Sequence, residues 1–202
     1  MLDNSLGNQQ LMVRFMSLYV VGLVLFFAAW TVSYWMLPEG LITGFGPLNM
    51  LAGDTAADTL LSEFLTIFGV NLLGLLLVVV ANYVLRVRNI GFGYLIPLAW
   101  MIIYGVTLGT NSFSIPLDEP MAPTLTVFSR SGLYEMMAAT LLAAATNSIS
   151  VNRSETFRSS SERVPKAERR PLTTGEWVAV GGSVLMLAAA ALREAYMIMR
   201  LV

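Results

Sequence analysis

The chain has 202 residues, 56% of them hydrophobic and 12% charged. A soluble domain carries about twice that share of charge, whereas 56% of this length fills about five membrane spans of about 20 residues each. Twelve Lys+Arg against thirteen Asp+Glu give no basic surface for a nucleic acid. Zero Cys and zero His exclude disulfides, thiolate and imidazole metal sites, thiol catalysis and the commonest general base.

Five apolar stretches follow one another: residues 11–37, 64–85, 90–110, 131–151 and 176–200. They predict an all-α, polytopic transmembrane bundle over a single domain, 1–202, with every backbone group satisfied inside helices. The first stretch carries Arg14 as its only charge. It is too long for a cleavable signal segment and reads as a retained helix. Trp30, Tyr34 and Trp35 lie near its outer end and Trp177 near the inner end of the fifth, in the headgroup zone that amphipathic rings favour.

The loop from Pro38 to Leu60 is rich in glycine yet keeps Leu41, Ile42, Phe45, Leu48, Met50 and Leu51, so it is expected to lie on the interface or fold back on the bundle. The third stretch carries Pro97, expected to kink the helix and free the Gly93 carbonyl. Trp100 near its middle is expected to face the bundle. Gly105 and Gly109 follow at small-xxx-small spacing, which permits close helix approach. Residues 116–123 read as Pro-punctuated turns.

Loop charge sets the orientation. Arg86 and Arg88 occupy the second connection, and Arg153, Arg158, Arg163, Lys166, Arg169 and Arg170 the fourth. The first holds Glu39, Asp54, Asp58 and Glu63, and the third Asp118 and Glu119, with Arg130 at its end. The N-terminus is therefore expected in the cytoplasm and the C-terminus outside. The basic segment 152–174 reads as a solvated cytoplasmic loop, with contact to anionic lipid or an acidic partner as the other reading.

A charge in hydrocarbon costs about 2.5–3.5 kcal/mol on the mildest scale, so each intramembrane ion asks for a reason. Glu135, Glu194, Arg193, Arg130 and Glu63 all fall in the outer half by this topology and are expected to converge. One reading is a structural lock between the fourth and fifth helices. The other is a cation or proton site open to the outside. Asn71 and Asn147 are amides suited to bonding across helices. No nucleophile motif, P-loop or dinucleotide fingerprint appears, and the twelve methionines scatter as core filler. Neither an enzyme nor a resident cofactor is expected. Phe92, Trp100 and Tyr104 leave open an accessory subunit packed against a pigment or quinone ring.

Four segments, in order, resemble the stage II sporulation protein M family of multi-pass membrane proteins. They are Glu63-Phe64-Leu65-Thr66-Ile67-Phe68-Gly69-Val70-Asn71, Gly105-Val106-Thr107-Leu108-Gly109, Ser131-Gly132-Leu133-Tyr134-Glu135, and the stretch from Leu187 to Tyr196 with Arg193-Glu194. Tyr104 stands where the family has Asn, Ser131 where it has His and Arg130 where it has Pro. The resemblance implies a scaffold or accessory subunit in the prokaryotic plasma membrane, with membrane lipids and other integral membrane proteins as partners and any hydrolysis carried by those partners. It also implies a permease-like alternative.

Overall fold

The computed structural model describes residues 6–7, 10–44, 57–113, 117–128 and 133–200. The main helices are α1 (Leu11–Met36), α2 (Leu60–Val84), α3 (Leu95–Gly109), α4 (Leu133–Ala145) and α5 (Thr174–Ile198). Single turns, Phe92–Tyr94 and Leu125–Phe128, precede α3 and α4. Among the described residues, four helical stretches are long and apolar enough to cross a membrane: α1, α2, Phe92–Gly109 and α5. Their outward faces are large and apolar, as in Leu61, Leu65, Leu76 and Val80 on α2 and Val178 and Leu185 on α5. Such a surface is compatible with a helix bundle solvated by lipid.

The fourth stretch differs from expectation. Among the described residues helix α4 covers 13, about 20 Å of rise against about 30 Å of hydrocarbon. It ends at Ala145 because Thr146 and Asn147 turn their side chains to the backbone. Thr146 Oγ1 donates to the Leu142 carbonyl at 2.8 Å, and Asn147 is bonded to Gly91 and Asn89. Nearly the whole helix is interior, with Ala138, Ala139, Ala143, Ala144 and Ala145 fully buried. Alanine lets the neighbouring helices close around it.

The two basic connections are not simple loops. Strands β1 (Leu85–Val87), β2 (Ile90–Gly91), β3 (Asn152–Ser154) and β4 (Glu162–Arg163) form one sheet in the order β2-β1-β3-β4. The β1–β2 hairpin turns at Arg88, whose φ is 53°. Parallel pairing of β1 with β3 sets Leu85 opposite Asn152, and β3 pairs antiparallel with β4. The stretch after α4 is largely exposed, as a solvated segment is, and is also stitched to the one after α2. Val151 N–H donates to the Tyr83 carbonyl at 2.8 Å and Val164 N–H to the Val151 carbonyl at 2.8 Å.

Helices α1 and α3 pack closest, through glycine. A Cβ at Gly105 meets the Phe26 carbonyl at 2.6 Å, and one at Gly109 meets Ser33 Oγ at 2.1 Å and Tyr34 N at 2.7 Å. The two glycines therefore act as the packing pair their spacing suggests. Pro97 does not kink a helix middle. It sits in the first turn of α3, where its missing N–H costs little. Trp100 is half-buried and lies over Gly74 of α2. Trp30 departs from the interfacial reading: it is fully buried and its Nε1–H donates to the Met121 carbonyl at 2.7 Å. Trp35 and Trp177 are exposed at helix ends, where an interfacial ring belongs.

Of the first long loop, residues 39–42 fold onto the end of α3. Gly40 N–H donates to the Thr110 carbonyl at 2.6 Å, and Asn111 Nδ2 donates to Glu39 at 2.6 Å. Phe45, Leu48, Met50 and Leu51 lie outside the described residues.

Candidate functional site

Polar side chains gather at both ends of α4. At its start, Glu135 accepts a hydrogen bond from Asn71 Nδ2 of α2 at 3.0 Å. The carboxyl groups of Glu135 and Glu194 lie against each other within hydrogen-bonding reach. The contact joins the start of α4 to the last turns of α5. Arg193 carries its guanidinium 5.9 Å above the Tyr134 ring, a cation–π approach between the same two helices.

Glu63 is buried in the first turn of α2, where its Oε2 accepts the Ala57 N–H at 2.7 Å, and its charge acts on Glu194. So the structure brings Glu63, Asn71, Glu135 and Glu194 to one end of the bundle, with Arg193 beside them. Arg130 lies outside the described residues. Among the described residues no three acidic side chains converge in a metal-holding group.

The opposite end of α4 holds an ion pair that the sequence reading did not single out. Arg14, 2% exposed, donates from Nη2 to Glu176 Oε1 at 2.7 Å and from Nε to the Ala144 carbonyl at 3.1 Å. Arg170 Nη2 donates to the same Oε1 at 2.7 Å. Glu176 Oε2 accepts from the Thr173 N–H at 2.8 Å, closing a capping box at the start of α5. One carboxylate thus joins α1 to α5, while Arg14 also satisfies a carbonyl that the end of α4 leaves open. The signal available was Thr173-x-x-Glu176, a helix-start pattern, together with a lone arginine one turn inside an apolar helix.

A second unforeseen tie is Asn82, wholly buried in the last turn of α2. Its Nδ2 donates to the Ala143 carbonyl at 2.9 Å and Thr146 Oγ1 at 2.8 Å, and its Oδ1 accepts the Gly93 N–H at 2.9 Å. Gly93 is glycine because a Cβ there meets the Val78 carbonyl at 2.4 Å.

The three rings considered for a flat cofactor are engaged separately. Trp100 covers Gly74, Tyr104 stacks on Phe26 at 5.9 Å, and Phe92 is exposed. No family model, curated protein or solved structure matches this chain.

Proposed function

We propose that this chain is a non-enzymatic integral membrane subunit of the prokaryotic plasma membrane, crossing five times with its N-terminus inside, that organises other membrane proteins into a hetero-complex. The observation that carries the reading is the use of the buried polar groups. Arg14, Asn82, Glu135 and Glu176 each join elements of this chain to one another, while the helix faces left outward are apolar. Such a body is internally fixed and presents itself laterally to lipid and to other helices.

Two further observations support the topology. Strand β3 follows α4 and pairs in parallel with β1, which follows α2, so α4 and α2 descend toward the same end. A short helix is tolerated there because protein, not lipid, surrounds it. The sheet end carries the arginine-rich connections, and the far end carries Glu39, Asp118 and Glu119, the asymmetry expected of a cytoplasmic sheet. The resemblance to the stage II sporulation protein M family points the same way. Purification in mild detergent is expected to recover stoichiometric membrane-protein partners; recovery of a lone monomer counts against the proposal.

A second reading, a permease-like subunit, is favoured by one observation: Glu194, exposed on α5, faces Glu135 in a carboxyl pair of the kind that takes up a proton or a small cation. In proteoliposomes this reading requires that Glu135→Gln abolish ion flux while the fold persists. Loss of thermal stability alone assigns the pair to helix joining.

A further inference from the structure

A cavity of about 200 Å³ opens at the sheet end of the bundle, between the start of α1, strand β1, the turn after α4 and residues 164–170. Its wall includes four guanidinium-bearing residues, Arg14, Arg86, Arg169 and Arg170. The acidic side chain on the wall, Glu168, is held by Arg153 at 3.2 Å. Glu176 lies behind the wall, bound to both Arg14 and Arg170. The cavity therefore keeps an excess of positive charge.

Hydrogen bonding gives an independent indication. Four buried side-chain polar atoms among the described residues lack a partner: Tyr19 Oη, Arg86 Nε, Ser148 Oγ and Ser150 Oγ. The last three belong to residues lining this one cavity. Ser150 is 2% exposed, so bulk water does not satisfy its hydroxyl. Buried polar groups are almost always paired, and leaving one unpaired costs about 1–3 kcal/mol. Three orphans in one place need a common partner.

The chemistry of that partner follows from the donors. Arg86 Nε only donates, and a serine hydroxyl donates one proton. A group that meets three donors beside several guanidiniums is acceptor-only and anionic. Tetrahedral oxyanions have this character, with several oxygens at angles that separate donors can share. Neighbouring Asn147 is held in the wall by Gly91 and Asn89, its Oδ1 accepting from the Gly91 N–H and its Nδ2 donating to the Asn89 carbonyl.

We propose that this cavity binds a phosphate-type oxyanion, supplied either by the phosphomonoester head of a membrane lipid or by free phosphate. Serines 148 and 150 and Arg86 donate to its oxygens, and the remaining arginines hold its charge. The proposal is independent of whether the chain is a scaffold or a permease.

The test measures the thermal unfolding of the purified full chain in detergent in two arms. One adds inorganic phosphate, with chloride at matched ionic strength as control. The other adds phosphatidic acid, with diacylglycerol, which lacks only the phosphate, as control. A rise in Tm in either arm that exceeds its control is expected, and the responding arm names the source. Arg86→Gln and Ser150→Ala are each expected to weaken the responding ligand about tenfold, the loss of one charge-assisted or buried hydrogen bond, whereas Arg158→Gln, exposed and outside the cavity, leaves the affinity unchanged. If Arg86→Gln does not fold, Ser150→Ala and Ser148→Ala carry the comparison. No ligand-specific shift in either arm, or equal responses from wild type and the serine variants, overturns the proposal.

Discussion

Glu176→Ala and Arg14→Met each delete the same ion pair, yet they are expected to differ widely in cost. Removing the carboxylate leaves a guanidinium 2% exposed without its counter-charge at 2.7 Å. Breaking a buried pair in this way costs about 3–5 kcal/mol. The same substitution opens the capping box at Thr173, worth about 1 kcal/mol more. Removing the arginine is milder. Glu176 keeps Arg170 at 2.7 Å and the Thr173 N–H at 2.8 Å, and methionine refills much of the apolar stem. The Ala144 carbonyl loses its donor, a cost of about 1–3 kcal/mol. Arg170→Gln is the reference, since its side chain is 44% exposed and an exposed pair contributes about 1 kcal/mol or less.

Equilibrium unfolding of the purified protein by a denaturing detergent, followed by tryptophan fluorescence, ranks the three. The expected order of destabilisation is Glu176→Ala, then Arg14→Met, then Arg170→Gln. The double variant Arg14→Met/Glu176→Ala is expected to cost less than the sum of its parts by at least about 1 kcal/mol, because it removes both charges together. Equal costs for the two single variants, or additivity in the double, would refute the claim that the buried charge controls this end of the bundle.

Gly109→Ala is expected to destabilise by about 1–3 kcal/mol through overpacking, since its Cβ meets backbone of α1; Gly175→Ala, with open space around it, is expected to be neutral or stabilising in the same thermal assay. Asn82→Ala is expected to cost more than Asn71→Ala, because it orphans the Gly93 N–H in a fully buried place, whereas Asn71 makes one partly buried bond; the comparison is again of Tm. As the chain contains no cysteine, Asp118→Cys and Ser160→Cys can each be labelled alone in intact cells. An impermeant thiol reagent is expected to reach Asp118→Cys and not Ser160→Cys, and labelling of both on one side removes the five-pass topology.

The long apolar runs were legible because a span of lipid demands a run of that length, whatever it packs against. Glu135 and Glu194 were legible for the converse reason: hydrocarbon makes every intramembrane ion conspicuous. The extent of α4 was not, since an Ala-rich segment has the same hydropathy whether it faces lipid or protein, and only the contacts of Thr146 and Asn147 end it. Nor was the sheet. Strands of two or three residues carry no alternation to read, and β1 and β3 meet across more than sixty residues of sequence. Asn82 differs from Asn71 in no local feature; its position opposite Gly93 is a property of the fold.

These features meet in α4, whose described residues are fewer than a bilayer crossing takes. Its thirteen residues hold their place because both ends are fixed by polar contacts to different neighbours. Glu135 at the start reaches α2 and α5, and the Ala143 and Ala144 carbonyls at the finish take donors from α2 and α1. Between them the alanines exclude water and leave no polar group in need of a partner. A helix held in this way does not depend on matching the membrane's thickness, since lipid scarcely touches it. The long helices α1, α2 and α5 meet that requirement with their exposed faces. The division of labour follows from composition: leucine and valine where the solvent is hydrocarbon, alanine with a few hydrogen-bonding side chains where the surroundings are protein.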